Sequence, residues 1–355
     1  MKISDRRCLP RTGAALPVFG LGCSQLGGLY RTVGDAEATA LLNTAWTSGV
    51  RLFDTAPYYG YTRSERRVGA ALATRERNDY VLSTKVGRLM HPDPSVRSGD
   101  DGWADPLPFR PVFDYSRDGV LRSFADSLQR LGVSRVDLLY IHDLGEVTHG
   151  ERHAWFWSQL TSGGGFRALE ELRDSGAVSA IGLGVNEWQI AYASMRELDL
   201  DCTMLAGRYT LLEQGALSPF LDECARRGTA IIIAAPFNSG VLAGGDHFDY
   251  ARAPAGVVDR VRALEAVCRE HDTPIAAAAL QFPLGHPAVV SCIAGAETAA
   301  QLRQNIEWFE SPITPELWRA LRTRGLIDER APLPRDDTPA YDRPTPTHAN
   351  PWSNP

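Results

Sequence analysis

Four residues with side chains suited to proton transfer follow short apolar runs in the first half of the chain. Asp54 and Tyr59 lie in "RLFDTAPYYG" (51–60), Lys85 follows "LST", and His142 ends "LLYIH". A phenol is a poor acid or base near neutral pH because its pKa is about 10, but a neighbouring ammonium favours the phenolate. A carboxylate would keep that ammonium charged, and a neutral histidine can hydrogen-bond a substrate oxygen. These residue types predict a proton-transfer site that works with a hydride carrier.

Each of these residues also has a structural interpretation when it is taken alone. Asp54, followed by Pro57 and Gly60, could be a turn former at the end of a strand. Lys85 could be a surface charge, and His142 could be a core histidine. Only their joint position at the ends of successive strands favours the chemical interpretation.

Composition excludes several functional classes. The chain has 355 residues, of which 44% are hydrophobic and 23% charged, enough for one domain of α/β-barrel size or two smaller ones. A formal net charge of −6 and the lack of a Lys/Arg cluster argue against nucleic acid as a partner. The six cysteines form no C-x-x-C pair, so neither a metal site nor a disulfide framework is predicted. No export signal or membrane span is recognisable, which predicts a cytoplasmic protein.

Short apolar runs alternate with stretches of helical period along the chain. The predicted strands are 17–22, 50–55, 79–87, 136–143, 180–185, 202–207, 230–236 and 289–295. The predicted helices include 35–46, 64–73, 118–131, 166–174, 219–227 and 301–309, with candidate N-caps at Asp35, Ser64, Asp118 and Thr298. Eight apolar strands that are each followed by a helix predict an α/β fold, a (β/α)8 TIM barrel, with an open doubly wound sheet as the alternative.

The predicted domain organisation is one barrel of residues 1–330 and a Pro-rich C-terminal tail of residues 331–355. Two long loops, 88–116 and 144–165, follow the third and fourth strands. They would lie at the face where barrel enzymes keep their active sites, so they are candidate lids or pocket walls. Candidate substrate residues near this rim are Trp103, Asp143 and Trp188. The tail has too few apolar residues to pack a core and is expected to be extended or disordered.

Three segments resemble the signature of the aldo-keto reductase family. They are "FDTAPYYG" (53–60), "STKVG" (83–87) and "LLYIHD" (138–143), in the family's order and at its separations. The resemblance covers about residues 15–325. It implies the barrel of aldo-keto reductase type, with Tyr59 as proton donor or acceptor, Lys85 and Asp54 tuning it, and His142 orienting the substrate oxygen.

The resemblance also implies NAD or NADP as cofactor, without a Rossmann fingerprint. The implied cofactor residues are Gly22, Cys23, Asn186, Pro236, Phe237, Asn238, Ser239, Gly240, Gly295, Glu297, Gln301, Gln304 and Asn305. Ala206 and Ala234 replace the glutamine and the stacking tyrosine of many relatives. Glu297 would repel a 2′-phosphate, which favours NAD, whereas Arg303 leaves NADP open.

Within that family, the segments 113–143, "GVNEW" (184–188) and "LAGRYTLLEQGAL" (205–217) resemble the sugar-oxidising branch. The resemblance implies NAD(P)-dependent oxidation of an aldose, of L-fucose or D-threo-aldose type, at C1 to the lactone. Alternatives are the oxidation of pyridoxal or L-galactose, general carbonyl reduction, and a cofactor-sensing subunit with little turnover. The expected partner is a small molecule, a sugar, and the sequence does not specify an oligomeric state.

Overall fold

A closed barrel of eight parallel strands organises the part of the chain that the structure describes. The structure is a computed structural model that describes residues 1–334. In chain order, β1–β8 are Phe19–Gly22, Leu52–Asp54, Val81–Val86, Leu138–His142, Ala180–Val185, Cys202–Ala206, Ala230–Ala234 and Val289–Gly295. Each strand pairs in parallel with the next, and β8 pairs with β1, so the predicted (β/α)8 barrel is confirmed and the open sheet is wrong.

The strands are apolar on both faces because both faces are covered. In β4, Leu138 and Tyr140 belong to the core inside the barrel, whereas Leu139 and Ile141 belong to the core between strands and helices. This alternation follows from the period of two along a strand. An N-terminal hairpin of Arg6–Cys8 and Ala15–Pro17 contributes to the inner core through Leu9, Ala14 and Leu16. It therefore closes the end of the barrel at which the strands begin.

Helices follow the strands and cover the barrel. Their bounds are Asp35–Thr47, Arg63–Leu72, Arg117–Leu131, Glu146–His149, His153–Leu160, Gly165–Asp174, Trp188–Ser194, Asp222–Arg227, Ala255–Glu270, Ile275–Gln281, Ala299–Glu310 and Pro315–Thr323. The helix predicted over 219–227 begins only at Asp222 because a π-helical turn, Leu217–Leu221, precedes it.

The predicted helix caps are only partly right. The Thr298 side chain accepts a hydrogen bond from a backbone N–H of its first turn, as predicted. The other three predictions were wrong, because Ser116 caps the helix assigned to Asp118, and Asp35 and Ser64 lie inside their helices. A side-chain cap must sit just before the first helical residue to reach the free N–H groups. An error of one or two residues in the helix start therefore assigns the wrong cap.

Both segments predicted as long loops contain regular structure. Within 88–116, strands Arg88–Pro92 and Phe109–Phe113 form an antiparallel hairpin, and Trp103 bridges to Leu29 between them. The segment 144–165 carries the helices Glu146–His149 and His153–Leu160. The hairpin escaped prediction because proline in a strand argues against that assignment, although it is tolerated at sheet edges.

Most of the predicted C-terminal tail, residues 335–355, lies outside the described residues. Ala331, at the start of that tail, is fully buried. From residue 1 to residue 334, none of the helices is both long enough and apolar enough to cross a lipid bilayer.

Candidate active site

The barrel brings the four candidate catalytic residues to one rim. Asp54 and His142 are the last residues of β2 and β4, and Lys85 is near the end of β3. Tyr59 lies in the turn after β2. The Nζ atom of Lys85 is 2.7 Å from Oδ2 of Asp54 and 3.0 Å from the Tyr59 hydroxyl. The rim is the carboxyl end of the strands, where barrel enzymes assemble their chemistry.

The Lys85–Asp54 ion pair is buried and fully supported by hydrogen bonds. Lys85 is only 2% exposed, and Nζ also donates to the carbonyl oxygen of Thr55 at 3.0 Å. The other carboxylate oxygen of Asp54 accepts from the Ser83 hydroxyl at 2.8 Å. Burial works against the ammonium, but Asp54 and Tyr59 together raise the pKa of Lys85 above its usual range. Lys85 therefore stays charged beside the phenol.

Burial outweighs the ammonium in setting the acidity of Tyr59. It raises the pKa of Tyr59 to about 12, while the Lys85 charge acts in the opposite direction. The charge of Lys85 alone predicts a lowered pKa for Tyr59, but desolvation of the buried phenol is the larger effect. The Tyr59 side chain is thus a neutral phenol at pH 7, held ready to donate a proton, and its ionisation depends on Lys85.

His142 is held neutral and faces Tyr59. Burial lowers its pKa well below the usual range, and the charges of Arg88 and Lys85 add to this shift. The two rings are nearly perpendicular, with centroids 5.8 Å apart. Within residues 1–334, Nδ1 of His142 and Nε1 of Trp103 are buried without a hydrogen-bond partner. The centroid of the Trp103 ring lies 6.0 Å from that of the Tyr59 ring.

The structure adds a buried charged pair that the sequence argument missed in part. Arg88, at the start of the 88–116 segment, donates to the carboxylate of Asp143, which follows His142. Arg88 gave no sequence signal because its partner is 55 residues away. Trp103 and Asp143 thus lie beside the candidate catalytic group. The partly buried ring of Trp188 packs against Phe220, with centroids 6.4 Å apart, so its role in substrate binding stays a prediction.

Two glycines explain how the turn delivers Tyr59. Gly60 has φ +62°, and a Cβ there would lie 2.2 Å from the carbonyl oxygen of Gly27. A Cβ on Gly27 would meet the Gly60 nitrogen at 2.5 Å. Only glycine permits this backbone contact. The loop after β1 is therefore locked against the turn that carries Tyr59.

The loop after β7 suits the phosphates of a dinucleotide. Ala235, Asn238, Ser239 and Gly240 all have positive φ, a backbone arrangement that can form an anion-binding nest of N–H groups. The buried Asn238 side chain accepts from Thr210 at 2.7 Å and so holds the loop in place. Because the Asn238 side chain is engaged within the protein, the backbone N–H groups of this loop are the candidate ligands of an anion.

Other candidate cofactor residues are distributed around the same rim. Gly22 and Gly295 are register partners at the ends of β1 and β8, and Cys23 is buried directly after β1. Asn186 follows β5, and its side chain meets the hydroxyl of Tyr250, from a hairpin of His247–Phe248 and Ala251–Arg252. Pro236 and Phe237 lie in the loop after β7, and Gln304 lies on the outer side of helix Ala299–Glu310.

The candidate adenosine region contains a charged network centred on Arg31. The Arg31 guanidinium lies 2.8 Å from Glu297 and 2.8 Å from Glu37. Gln301 accepts from the backbone N–H of Glu297, and Asn305 donates to the carbonyl oxygen of Gly295. Arg31 was missed because 266 residues separate it from Glu297. Two carboxylates therefore share the single guanidinium of Arg31.

The described residues contain no group of three or more His, Cys, Asp or Glu side chains that could hold a metal ion.

Comparison with known proteins agrees with this geometry. A sequence model of the Aldo/keto reductase family matches residues 18–323, which include all of the rim described above. The chain belongs to this family. Its enzymes are oxidoreductases that use NAD(P)H, so the protein is an NAD(P)-dependent oxidoreductase.

Two curated relatives match almost the whole chain. Pyridoxal 4-dehydrogenase of Microbacterium luteolum is 51% identical over 341 residues, covering 92% of this chain and 99% of the relative. D-threo-aldose 1-dehydrogenase of a Pseudomonas species is 42% identical over 324 residues, covering 89% of this chain and 96% of the relative.

Solved structures confirm the fold. The holo form of an aldo-keto reductase from Bacillus halodurans superposes with a TM-score of 0.68 at 22% identity, covering 90% of this chain and 95% of the other. Glycerol dehydrogenase from Gluconobacter oxydans gives a TM-score of 0.69 at 20% identity, covering 95% of this chain and 99% of the other. At these identities the likeness shows the barrel alone.

Proposed function

We propose that the protein oxidises a cyclic hemiacetal to a lactone with NAD, and that pyridoxal is its first candidate substrate. The observation that carries this proposal is the contact between Tyr59 and the buried Lys85–Asp54 pair, at 3.0 Å from phenol to ammonium. An ammonium at this distance stabilises the phenolate that an oxidation needs.

Each residue of the rim has a distinct role in this proposal. Ionised Tyr59 takes the proton of the hemiacetal hydroxyl as the carbon–oxygen double bond of the lactone forms. Lys85 stabilises the phenolate, and Asp54 keeps Lys85 charged and in place. His142, which is neutral, hydrogen-bonds the reacting oxygen. A bound nicotinamide dinucleotide would accept the hydride that leaves the same carbon.

The choice of a cyclic hemiacetal combines the names of the two relatives with simple chemistry. Pyridoxal and aldoses both close to a ring in which the former aldehyde carbon carries a hydroxyl group. Oxidation of either ring gives a lactone without a hydrated intermediate. One active site can therefore serve both kinds of substrate with the same four residues.

Pyridoxal is placed first for two reasons. The pyridoxal dehydrogenase is the more similar of the two relatives, at 51% against 42% identity. The rings of Tyr58 and Tyr59 lie 5.4 and 6.0 Å from Trp103, which gives the pocket aromatic walls. Such walls favour a flat aromatic ring by stacking, although they can also pack against a sugar. An aldose of the L-fucose type is the second candidate, as the sequence segments suggest.

NAD is the proposed cofactor because of the Arg31 network. Glu37 and Glu297 share one guanidinium, so a 2′-phosphate in this region would lie beside two carboxylates. Arg303 is directed to the Thr44 hydroxyl on helix Asp35–Thr47, at 3.5 Å. A free 2′-hydroxyl is compatible with a carboxylate acceptor, whereas a phosphate is repelled.

The test is a steady-state comparison of pyridoxal and L-fucose with NAD and with NADP. We expect the highest kcat/KM for pyridoxal with NAD and formation of the lactone. Tyr59→Phe should lower kcat by about 10³-fold because it removes the proton acceptor. Tyr192→Phe, on the outer helix Trp188–Ser194, is the matched control and should retain activity.

Two results would contradict the proposal. Efficient reduction of small aldehydes with NADPH, without oxidation of pyridoxal or aldoses, would identify a general carbonyl reductase. Full activity in Tyr59→Phe, or cofactor binding without turnover, would instead favour a cofactor-sensing subunit.

A further inference from the structure

Asp143 has a backbone conformation that is held in place from two sides. It follows His142 at the end of β4 and has φ +48°, which is uncommon for a residue other than glycine. Its N–H donates to the carbonyl oxygen of Gly184 at 3.0 Å. The Tyr115 hydroxyl donates to the carbonyl oxygen of His142 at 2.8 Å and lies 3.2 Å from that of Asp143. This support maintains the turn that brings the Asp143 carboxylate beside His142.

Arg88 fixes the orientation of that carboxylate. It is 7% exposed and donates through Nη2 to Oδ2 of Asp143. Its guanidinium carbon lies 3.8 Å from the centre of the Tyr58 ring and 4.7 Å from that of Phe113. Aromatic rings against a planar guanidinium restrict its rotation. A buried cation is costly unless it is paired, and the Asp143 carboxylate supplies that pairing.

The proton-transfer group does not need the Asp143 carboxylate. Asp54 already neutralises Lys85 at 2.7 Å. Oδ2 of Asp143 lies 3.4 Å from Nε2 of His142, and one-fifth of its side chain is exposed. An anchored carboxylate thus lies next to the imidazole that would hold the reacting oxygen. It is placed to accept a hydrogen bond from a second group on the substrate.

Charges around Asp143 keep its carboxylate available as an acceptor. Burial raises the pKa of Asp143, and Arg88 and Lys85 oppose that rise. The other titratable groups that face it are His142, His149, Tyr58, Tyr59, Tyr115 and Tyr250. Removal of Arg88 would leave Lys85 as the cation that opposes protonation.

We propose that Asp143 is a substrate-binding residue that accepts a hydrogen bond from a hydroxyl group near the reacting carbon, and that Arg88 is a positioning residue for Asp143. This deepens the proposed function and rests on it for the identity of the natural substrate. An aldose carries a hydroxyl group on C2, the carbon bonded to the reacting carbon, and pyridoxal with its phenol un-ionised carries a hydroxyl group one bond further away. A site that hydrogen-bonds this hydroxyl group would favour pyridoxal and aldoses over aldehydes that lack it.

The test uses two aldehydes that differ only in this hydroxyl. kcat/KM for NADH-dependent reduction is measured with 2-hydroxybenzaldehyde and with benzaldehyde, for the wild type and for Asp143→Asn. We expect the preference for the hydroxylated compound to fall by about tenfold in the variant, the value of a hydrogen bond to a charged acceptor. Asp93→Asn is the matched control, because Asp93 is paired with Arg110 in the outer part of the 88–116 segment.

Neither aldehyde forms an internal hemiacetal, so this comparison stands even if pyridoxal and aldoses are not oxidised. Calorimetric binding of 2-hydroxybenzyl alcohol and benzyl alcohol to the NAD-loaded protein provides a readout without turnover. A preference that is equal in wild type and Asp143→Asn, or a wild type with no preference in either assay, overturns the role of Asp143.

The role of Arg88 is tested by the pH dependence of the same preference. In Arg88→Met, Asp143 takes up a proton at higher pH than in the wild type. The preference should therefore be lost at acid pH and return as the pH rises toward neutrality. A merely structural role would lower the preference equally at every pH, which would overturn the proposal. Arg88→Lys keeps the positive charge, so it should retain most of the wild-type preference for the hydroxylated aldehyde. If Arg88→Met does not fold, the pH dependence is measured with Arg88→Lys instead.

Discussion

The two ends of the barrel use buried charges in different ways. At the end where the strands begin, Asp137 accepts from the backbone N–H of Leu82 at 2.5 Å and from Arg77 at 2.8 Å. Asp201 repeats this arrangement with the N–H of Ile181, at 3.0 Å, and with Arg173. Each aspartate directly precedes a strand and bonds to the neighbouring strand. These carboxylates are saturated by partners from within the chain.

At the opposite end, several buried polar atoms are left without a partner inside the described residues. They are Nδ1 of His142, Nε1 of Trp103 and Nε of Arg88. A buried polar atom without a partner costs stability, so a protein keeps such atoms where a ligand can satisfy them. Within the same residues, the hydroxyl groups of Tyr140 and Thr203 are also unpartnered, so these atoms alone do not define a site. From the position of the three atoms near the carboxyl ends of the strands, we expect the first end to serve stability and the second to serve binding and chemistry.

The largest expected effect is that of Lys85→Met at the reactive end. Removal of the ammonium leaves Asp54 buried and unpaired, which should cost about 3 kcal/mol of unfolding free energy. It also removes the group that stabilises the phenolate, so kcat for oxidation should fall by about 10³-fold. Chemical denaturation and single-turnover kinetics measure the two losses. The double variant Asp54→Asn, Lys85→Met should recover stability but not activity, and recovery of activity would refute the proposed role.

At the structural end, Asp137→Ala should affect stability alone. The variant leaves Arg77 and the Leu82 N–H without their acceptor, and about 3 kcal/mol of unfolding free energy should be lost. At a temperature where the variant is folded, KM and kcat should match those of the wild type. Asp201→Ala should behave in the same way. A fall in kcat in the folded variant would show that the two ends are not independent.

The pH dependence of the reaction should reflect Tyr59 and not His142. Because burial raises the pKa of Tyr59 to about 12, the phenolate fraction falls about tenfold for each pH unit below that value. Oxidation, which needs the phenolate, should therefore accelerate with pH, whereas reduction uses the phenol and should not.

Since burial lowers the pKa of His142 well below its usual range, no step from that residue is expected between about pH 6 and 8. The rates of oxidation and of reduction, each measured as a function of pH, test the expectations for Tyr59 and for His142. An oxidation rate that is flat with pH would exclude Tyr59 as the base.

The smallest expected effect is that of Trp103→Phe. Within residues 1–334, Nε1 has no protein partner, but the indole is buried and larger than a phenyl ring, so the space left should cost about 1 kcal/mol of unfolding free energy. If the atom binds substrate, KM should rise by about fivefold with little change in kcat. An unchanged KM would show that Nε1 of Trp103 does not bind the substrate.

The barrel and its reacting group were predictable because both follow from local patterns. Each strand is a short apolar run, and Asp54, Lys85 and His142 lie at or near strand ends, which a parallel barrel brings together. Arg88 and Arg31 were not predictable, because they meet partners 55 and 266 residues away across the fold. The acidity of Tyr59 was also out of reach, since burial is a property of the packed structure.

The backbone contact between Gly27 and Gly60 couples the position of the loop after β1 to that of the turn that carries Tyr59. A methyl group at either position would meet backbone atoms within 3 Å, so it must push the opposing segment aside. Any ligand that displaces the first loop then also displaces the phenol. Libraries that aim to alter specificity should hold both glycines fixed, because variation at either one will misplace Tyr59 before it reshapes the pocket.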